Sequence, residues 1–216
     1  MSRKLTPEDL QNESEFELLT EVSHQKLRDF VVEQITEEKF LIRIYSIYQV
    51  IMMIIFAFLL TRGIVLVFKG HSETLINVGL AVVFSFSALI IVHELLHALA
   101  YMITGAKKIS FGAIPKKFIF YALADRQVIA TRAFHVVALT PFVVVKLICL
   151  IGIIGFYKEQ IMYFYLSIMC LHSLFCAGDI AMLAFYRIHK GKEIYNFDDK
   201  NEGKTYFYTR KLEHKL

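Results

Sequence analysis

The sequence predicts an all-α membrane protein, four transmembrane helices with a short cytoplasmic β-hairpin-like loop, and three observations predict it. Of the 216 residues, 56% are hydrophobic, and they gather into apolar runs long enough to cross a bilayer. Lys and Arg collect at both ends and in one loop between runs, the asymmetry that membrane insertion leaves. Cys149, Cys170 and Cys176 all fall inside apolar runs, which suits buried thiols and not a disulfide framework.

Three regions follow: a cytoplasmic amphipathic N-terminal segment over 1–43, a four-helix membrane domain over 44–186, and a cytoplasmic tail over 187–216. Thr6-Pro7-Glu8-Asp9 reads as a helix start, Thr as N-cap and Pro at the first helical position. An amphipathic stretch carrying Leu10, Phe16, Leu19, Val22, Leu27, Phe30, Val31 and Ile35 continues it, expected to lie on the membrane surface or to pack under the bundle. No charged start, short apolar stretch and cleavage site precede it, so no removable signal peptide is expected.

The first apolar run is Ile44 to Phe68, and either it ends near Leu60 or Arg62 snorkels from a longer helix. The second is Leu75 to Thr104. The third, Ala133 to Tyr157, holds Lys146 near its middle and Pro141, which should kink it. The fourth, Gln160 to Tyr186, holds His172 and Asp179. Six Lys and Arg precede residue 44, six lie between 105 and 132 and eight follow 186, whereas the opposite loops carry only Arg62, Lys69 and Lys158. Both termini and the loop 105–132 should therefore face the cytoplasm, with loops 69–73 and 157–160 outside.

The second run contains His93-Glu94-Leu95-Leu96-His97. Four residues apart on a helix, His93 and His97 share a face and can clamp one zinc ion between their imidazoles. Glu94 beside them has the place of a general base that takes a proton from a water activated by the ion. Two histidines and a glutamate are costly inside a bilayer, and intramembrane ionisable groups mark function. A zinc hydrolase needs a third protein ligand. His97 lies seven residues, roughly 10 Å, from the cytoplasmic end of its helix, and Asp179 lies equally far from the end of the fourth. His172 lies two turns further out, about 10 Å above Asp179 on a straight helix, which suits a supporting or substrate-side role. His135, at the mouth of the third helix, is a further candidate. Lys146 receives no role.

Lys107 to Ile114, then Pro115-Lys116-Lys117, then Phe118 to Leu123 reads as two short strands about a turn, directly after the HELLH helix. Such a hairpin offers an edge to which an extended substrate can add, or it is a basic loop whose aromatics rest among lipid headgroups. The segment Tyr195 to Tyr208 is expected to fold back beneath the bundle.

The stretch HELLHALAYMITGAKKISFG is similar to the metal-binding segment of site-2-type membrane zinc proteases. Over residues 85–210 the chain more closely resembles the DUF3267 family, small bacterial four-helix membrane proteins with a zincin motif. The shared marks are HExxH, then Gly105-Ala106-Lys107 and a strand-like stretch, Pro141, the pair Gly178-Asp179, and Glu202-Gly203 ahead of Tyr206-Phe207-Tyr208. The resemblance implies His93 and His97 as zinc ligands, Glu94 as catalytic acid and base, and Asp179 as third ligand. Asp179 follows its Gly, where the site-2 proteases put Asp first, and no Asn-x-x-Pro precedes it.

The sequence therefore points to a membrane-embedded zinc metallopeptidase of the bacterial plasma membrane, acting on a membrane-bound or membrane-proximal polypeptide near the cytoplasmic face. Its partners are that substrate and the lipid bilayer, with no nucleic acid. The competing class is a non-catalytic membrane protein with a structural or sensory metal site and a helical partner. A cation relay through His172, Asp179 and Lys146 is a third reading, against which four spans without a repeat argue. Topology is testable directly. Reporters fused after residue 70 should read outside, and those after residue 118 or at the C-terminus inside; a cytoplasmic signal at residue 70 would overturn the four-span order.

Overall fold

The computed structural model describes residues 5–114 and 119–211. In chain order the elements are α1 (Pro7–Leu10), β1 (Phe16–Ser23), α2 (Leu27–Glu37), α3 (Lys39–Val67), α4 (Glu73–Ser85) and α5 (Ala88–Ile103). Then come β2 (Ile109–Ile114), β3 (Ile119–Ala124), β4 (Ile129–Ala130) and α6 (Thr131–Gly155). The chain closes with α7 (Met162–Phe175), α8 (Ala177–Ile188), β5 (Ile194–Asp199) and β6 (Lys204–Arg210). It folds as two compact units, one of Met1–Lys39, Glu94–Ala138 and Ala181–Leu216, the other of Phe40–His93 and Leu139–Ile180.

In the second unit, two helices, α3 and α6, are each long and apolar enough to cross a membrane alone. The other two expected spans are broken: α4 and α5 meet at 49°, α7 and α8 at 45°, so the count is two, or up to four if each bent pair is one span. At the first break the Ser87 hydroxyl donates to Val83 O at 2.6 Å, while the Ser87 N–H turns to Phe84 O at 3.3 Å. A serine that serves a carbonyl one turn back in this way bends a helix. At the second break the Tyr45 hydroxyl donates to Ser173 O and the Ser173 hydroxyl to Cys170 O, so these carbonyls gain donors that an apolar medium does not supply. α3 runs past Arg62, whose Nε donates to the Tyr163 hydroxyl at 3.2 Å, which decides for the longer helix. Gly63 lets α3 approach α4, since a Cβ there would meet Leu75 Cα at 3.1 Å. Side chains such as Ile54, Phe58 and Ile151 are exposed, as lipid-facing residues are.

The first unit corrects the all-α expectation, because the described residues include six strands in two sheets. The expected hairpin is there: β2 and β3 pair antiparallel from Ile109 with Ala124 to Ile114 with Ile119. Its expected turn, Pro115-Lys116-Lys117, lies outside the described residues. The second sheet has the order β1-β6-β5-β4 and is antiparallel throughout. The N-terminal stretch does not continue as the helix that starts at Thr6. Thr6 does cap α1, its hydroxyl accepting the Asp9 N–H at 3.2 Å while the Thr6 N–H donates to Asp9 Oδ2 at 2.8 Å. The helix stops after one turn, and Phe16 to Ser23 become an edge strand whose register shifts between Leu18 and Thr20. That bulge explains the misreading, because Phe16, Leu19 and Val22 recur every three residues as on a helix. What decides for strand is tertiary: Leu10 and Phe16 pack with Tyr195, Phe197 and Tyr208. Burying each of the larger apolar side chains there contributes about 1.5–3 kcal/mol, more than local helix preference can offset. α2 docks by Phe30, whose ring lies 5.5 Å from Phe185 and 5.9 Å from Phe207.

Arg126 pins this unit's loops. It holds a positive φ of 50°, its N–H donates to Asp198 O at 2.8 Å, and its guanidinium reaches Asp199 at 2.7 Å and Glu8 at 2.6 Å. Burial pulls Asp199 upward, but the N–H groups of Glu202 and Asn201 and the Arg126 guanidinium more than offset it and hold its carboxyl below the usual range. Glu8 is lowered too, by its own backbone N–H and then by Arg126. Carboxyls depressed in this way stabilise the folded chain above the ordinary carboxylate pKa of about 4, and that stability drains as pH falls through their lower folded values. Protection of the β5 and β6 amides against exchange should hold from about pH 7 to about pH 5 and decline only in stronger acid. In Arg126→Gln protection should be lower at neutral pH and less of it should be lost in acid; identical acid profiles would remove Arg126 from this account.

Candidate metal centre

α5 is built for one buried face. Ala, Leu, Met and Glu favour the helix, and Leu89, His93, His97 and Ala100 form its inward stripe, all under 9% exposed, whereas Ile91, Leu95 and Leu99 lie on exposed faces. His93 and His97 thus sit one turn apart on the same side of one helix, as the spacing predicts. Glu94 is half-buried on the adjoining face.

Both ring nitrogens of His93 are engaged. Its Nε2 lies 3.2 Å from Asp179 Oδ2, and its Nδ1 lies 3.1 Å from His172 Nε2. The depth argument separated His172 and Asp179 by two turns of a straight helix, yet the chain brings both to the same imidazole. The break at Cys176 is the reason: α7 ends at Phe175, α8 starts at Ala177 with a 45° bend, and the first turn of α8 places Asp179 on the opposite nitrogen from His172. His172 is fully buried.

His97 is oriented through its Nδ1, 3.0 Å from Val137 O. That carbonyl is available for a reason visible in the sequence: in α6 its helical donor would be the N–H of residue 141, and Pro141 has none. Pro141 therefore frees an acceptor for His97 whatever it does to the helix axis. With Nδ1 of each histidine bonded to protein, Nε2 of each is the nitrogen a metal could take, the arrangement by which surrounding groups fix a metal-binding imidazole.

Residues 86–195, just over half of the chain, match the DUF3267 family, described as putative zincin peptidase. The chain belongs to that family. Neither the curated proteins nor the solved structures contain a match. A zincin implies zinc, and the donors fit it. Ligands at about 2.0–2.2 Å in a tetrahedral shell stand roughly 3.4 Å apart, close to the 3.2 Å between His93 Nε2 and Asp179 Oδ2. Two imidazoles and a carboxylate are a common zinc set.

Two other residues weighed from the sequence make contacts of their own. His135 turns its Nδ1 to Thr131 O at 2.7 Å and stacks edge-on to Tyr186, and no metal-capable group of the described residues includes it. Lys146 donates to Met169 O, with the rings of Tyr48 and Phe142 5.6 Å and 5.5 Å from its ammonium. Those contacts take up a half-buried ammonium inside an apolar run. Cys176 was missed as a candidate. Its Sγ lies 3.6 Å from His172 Nδ1 and 3.8 Å from His172 Nε2, and the signal was present as a His-x-x-x-Cys pair spaced like the two histidines of HELLH.

His172→Ala should lower zinc affinity about 10–100-fold by releasing the Nδ1 of His93, and His172→Gln should recover part of the loss through its amide oxygen. Competition with a chelator of known affinity measures both. Unchanged affinity in His172→Ala would show that the contact orients nothing.

Proposed function

We propose that this family member is a membrane-embedded zinc metalloendopeptidase, with His93, His97 and Asp179 as zinc ligands and Glu94 as general acid and base. One observation carries the reading: on the helix that bears HExxH, the outward nitrogen of His93 meets the Asp179 carboxylate while its other nitrogen is held by His172. His97, one turn further along the same helix, would offer the second imidazole. Zinc, when bound, polarises a peptide carbonyl and acidifies water. The protein supplies the rest. Glu94 takes the proton from the attacking water and delivers it to the leaving amine, holding it meanwhile on a half-buried carboxylate. Asp179 lowers the net charge of the cation site inside an apolar bundle, where an unneutralised dication is costly.

The helices long and apolar enough to cross a bilayer support a membrane-bound or membrane-proximal substrate, and the Lys and Arg distribution supports cleavage near the cytoplasmic face of a bacterial plasma membrane. The β2–β3 sheet has two strands, hence two edges, and it follows α5 by a short connection. An extended substrate added to one edge would present the carbonyls that a helical substrate keeps in its own hydrogen bonds.

Purified protein should carry about one zinc per chain, and His93→Ala and His97→Ala should lose it. Glu94→Gln should keep the metal and lose turnover of a membrane-anchored peptide by about 10²–10⁴-fold. Asp179→Ala should weaken zinc binding at least 10–100-fold, as even changes beyond the ligand shell do. Equal zinc in all of these proteins would sink the catalytic site; full turnover in Glu94→Gln would leave the metal a structural or sensory role.

A further inference from the structure

His93, His172 and Cys176 form a second group of three, all buried, whose ligand atoms lie within 4.8 Å of one another. Nothing in the peptidase reading uses the thiol. Cys176 is the single residue between α7 and α8, fully buried, and the bend there aims its sulfur at the ring that touches His93. We propose that these three residues are a distinct site for a soft d¹⁰ cation, of which cuprous ion is the biological example, and that occupancy of this site withdraws His93 from the zinc position.

The distances support a ligand set and not mere neighbours in a bundle. An ion about 2.0–2.1 Å from nitrogen and about 2.3 Å from sulfur holds its nitrogens roughly 3.3 Å apart and a nitrogen and sulfur roughly 3.6 Å apart. Here the His93 Nδ1 to His172 Nε2 separation is 3.1 Å and the His172 Nε2 to Cys176 Sγ separation is 3.8 Å. The donor types choose the ion: a thiolate with two imidazoles favours soft, thiophilic cations, while the imidazole and carboxylate set on the other side of His93 favours zinc. On binding, the Cys176 thiol gives its proton to water and the sulfur pair forms the metal bond; the proton between His93 Nδ1 and His172 Nε2 moves to the other nitrogen of the ring that carries it, so both imidazoles stay neutral and no oxidation state changes.

The two positions use opposite nitrogens of His93, so an ion at Nδ1 removes the hydrogen bond to His172 that orients Nε2. The claim of competition rests on the peptidase reading; the existence of the thiolate site does not. A separate variant therefore isolates each. Cd²⁺ titrated into the detergent-solubilised full chain carrying His97→Ala and Asp179→Ala should give a sulfur-to-metal charge-transfer band saturating near one equivalent. Adding Cys176→Ser or His172→Ala should abolish the band, while Cys149→Ser and Cys170→Ser should leave it. In the otherwise unaltered chain Cd²⁺ should give the same band and drive zinc out, and in Cys176→Ser zinc should resist the same Cd²⁺ at least about tenfold better. No band in either background, or a band that survives Cys176→Ser, would overturn the site. A chain that never holds zinc yet shows the Cys176-dependent band would overturn the peptidase reading and leave this site standing.

Discussion

An imidazole that must satisfy two nitrogens inside an apolar bundle is the constraint on which the rest of this structure depends. His93 is buried, and a buried polar atom without a partner costs on the order of 1–3 kcal/mol. One helix that continued straight through residues 172 to 179 would present the two side chains two turns apart. The chain meets the requirement by interrupting that helix at Cys176, so that His172 and Asp179 reach His93 from its two sides. The interruption then creates new requirements. Carbonyls near it accept hydroxyl donors from Tyr45 and Ser173, and the residue at the bend is a small buried thiol.

The same logic governs His97. Removing one N–H from α6 with Pro141 leaves Val137 O able to hold an imidazole, and this fixes which nitrogen remains for a metal. A residue usually read as a helix breaker acts here as an acceptor donor's deletion. Backbone irregularity within a membrane-spanning segment is tolerated where protein groups take up the freed carbonyls, and the break at Cys176 and the proline at 141 each serve one of the histidines.

The other unit shows how little the membrane portion accounts for the fold as a whole. Its four-stranded sheet joins the N-terminal strand β1 to the C-terminal hairpin β5–β6, and Phe16, Phe197 and Phe207 are each at most 2% exposed. Arg126 closes it by reaching both Glu8 and Asp199. Residues at opposite ends of the chain thus share one core, and the polar ends are parts of a folded layer.

By itself the sequence determined what local spacing determines. The capped start at Thr6, the hairpin after residue 105 and the i, i+4 histidine pair are local patterns, and each appears where the spacing put it; the apolar runs are local too, but two of them are broken into helix pairs. The family could be recognised because HExxH, Pro141 and Gly178-Asp179 keep their order along the chain. Tertiary structure decided what spacing leaves open. Phe16 to Ser23 fit a helix and a bulged strand equally well, and only pairing with β6, nearly the whole chain away, made them a strand. Asp179 and His172 could be ranked by depth only if their helix was straight; hydroxyls donated by Tyr45 and Ser173 at a break hide no periodic signal in a uniformly apolar run. Cys176 looked like a packed thiol because its sulfur becomes a possible ligand only when that bend turns His172 toward His93, a contact between residues 79 positions apart.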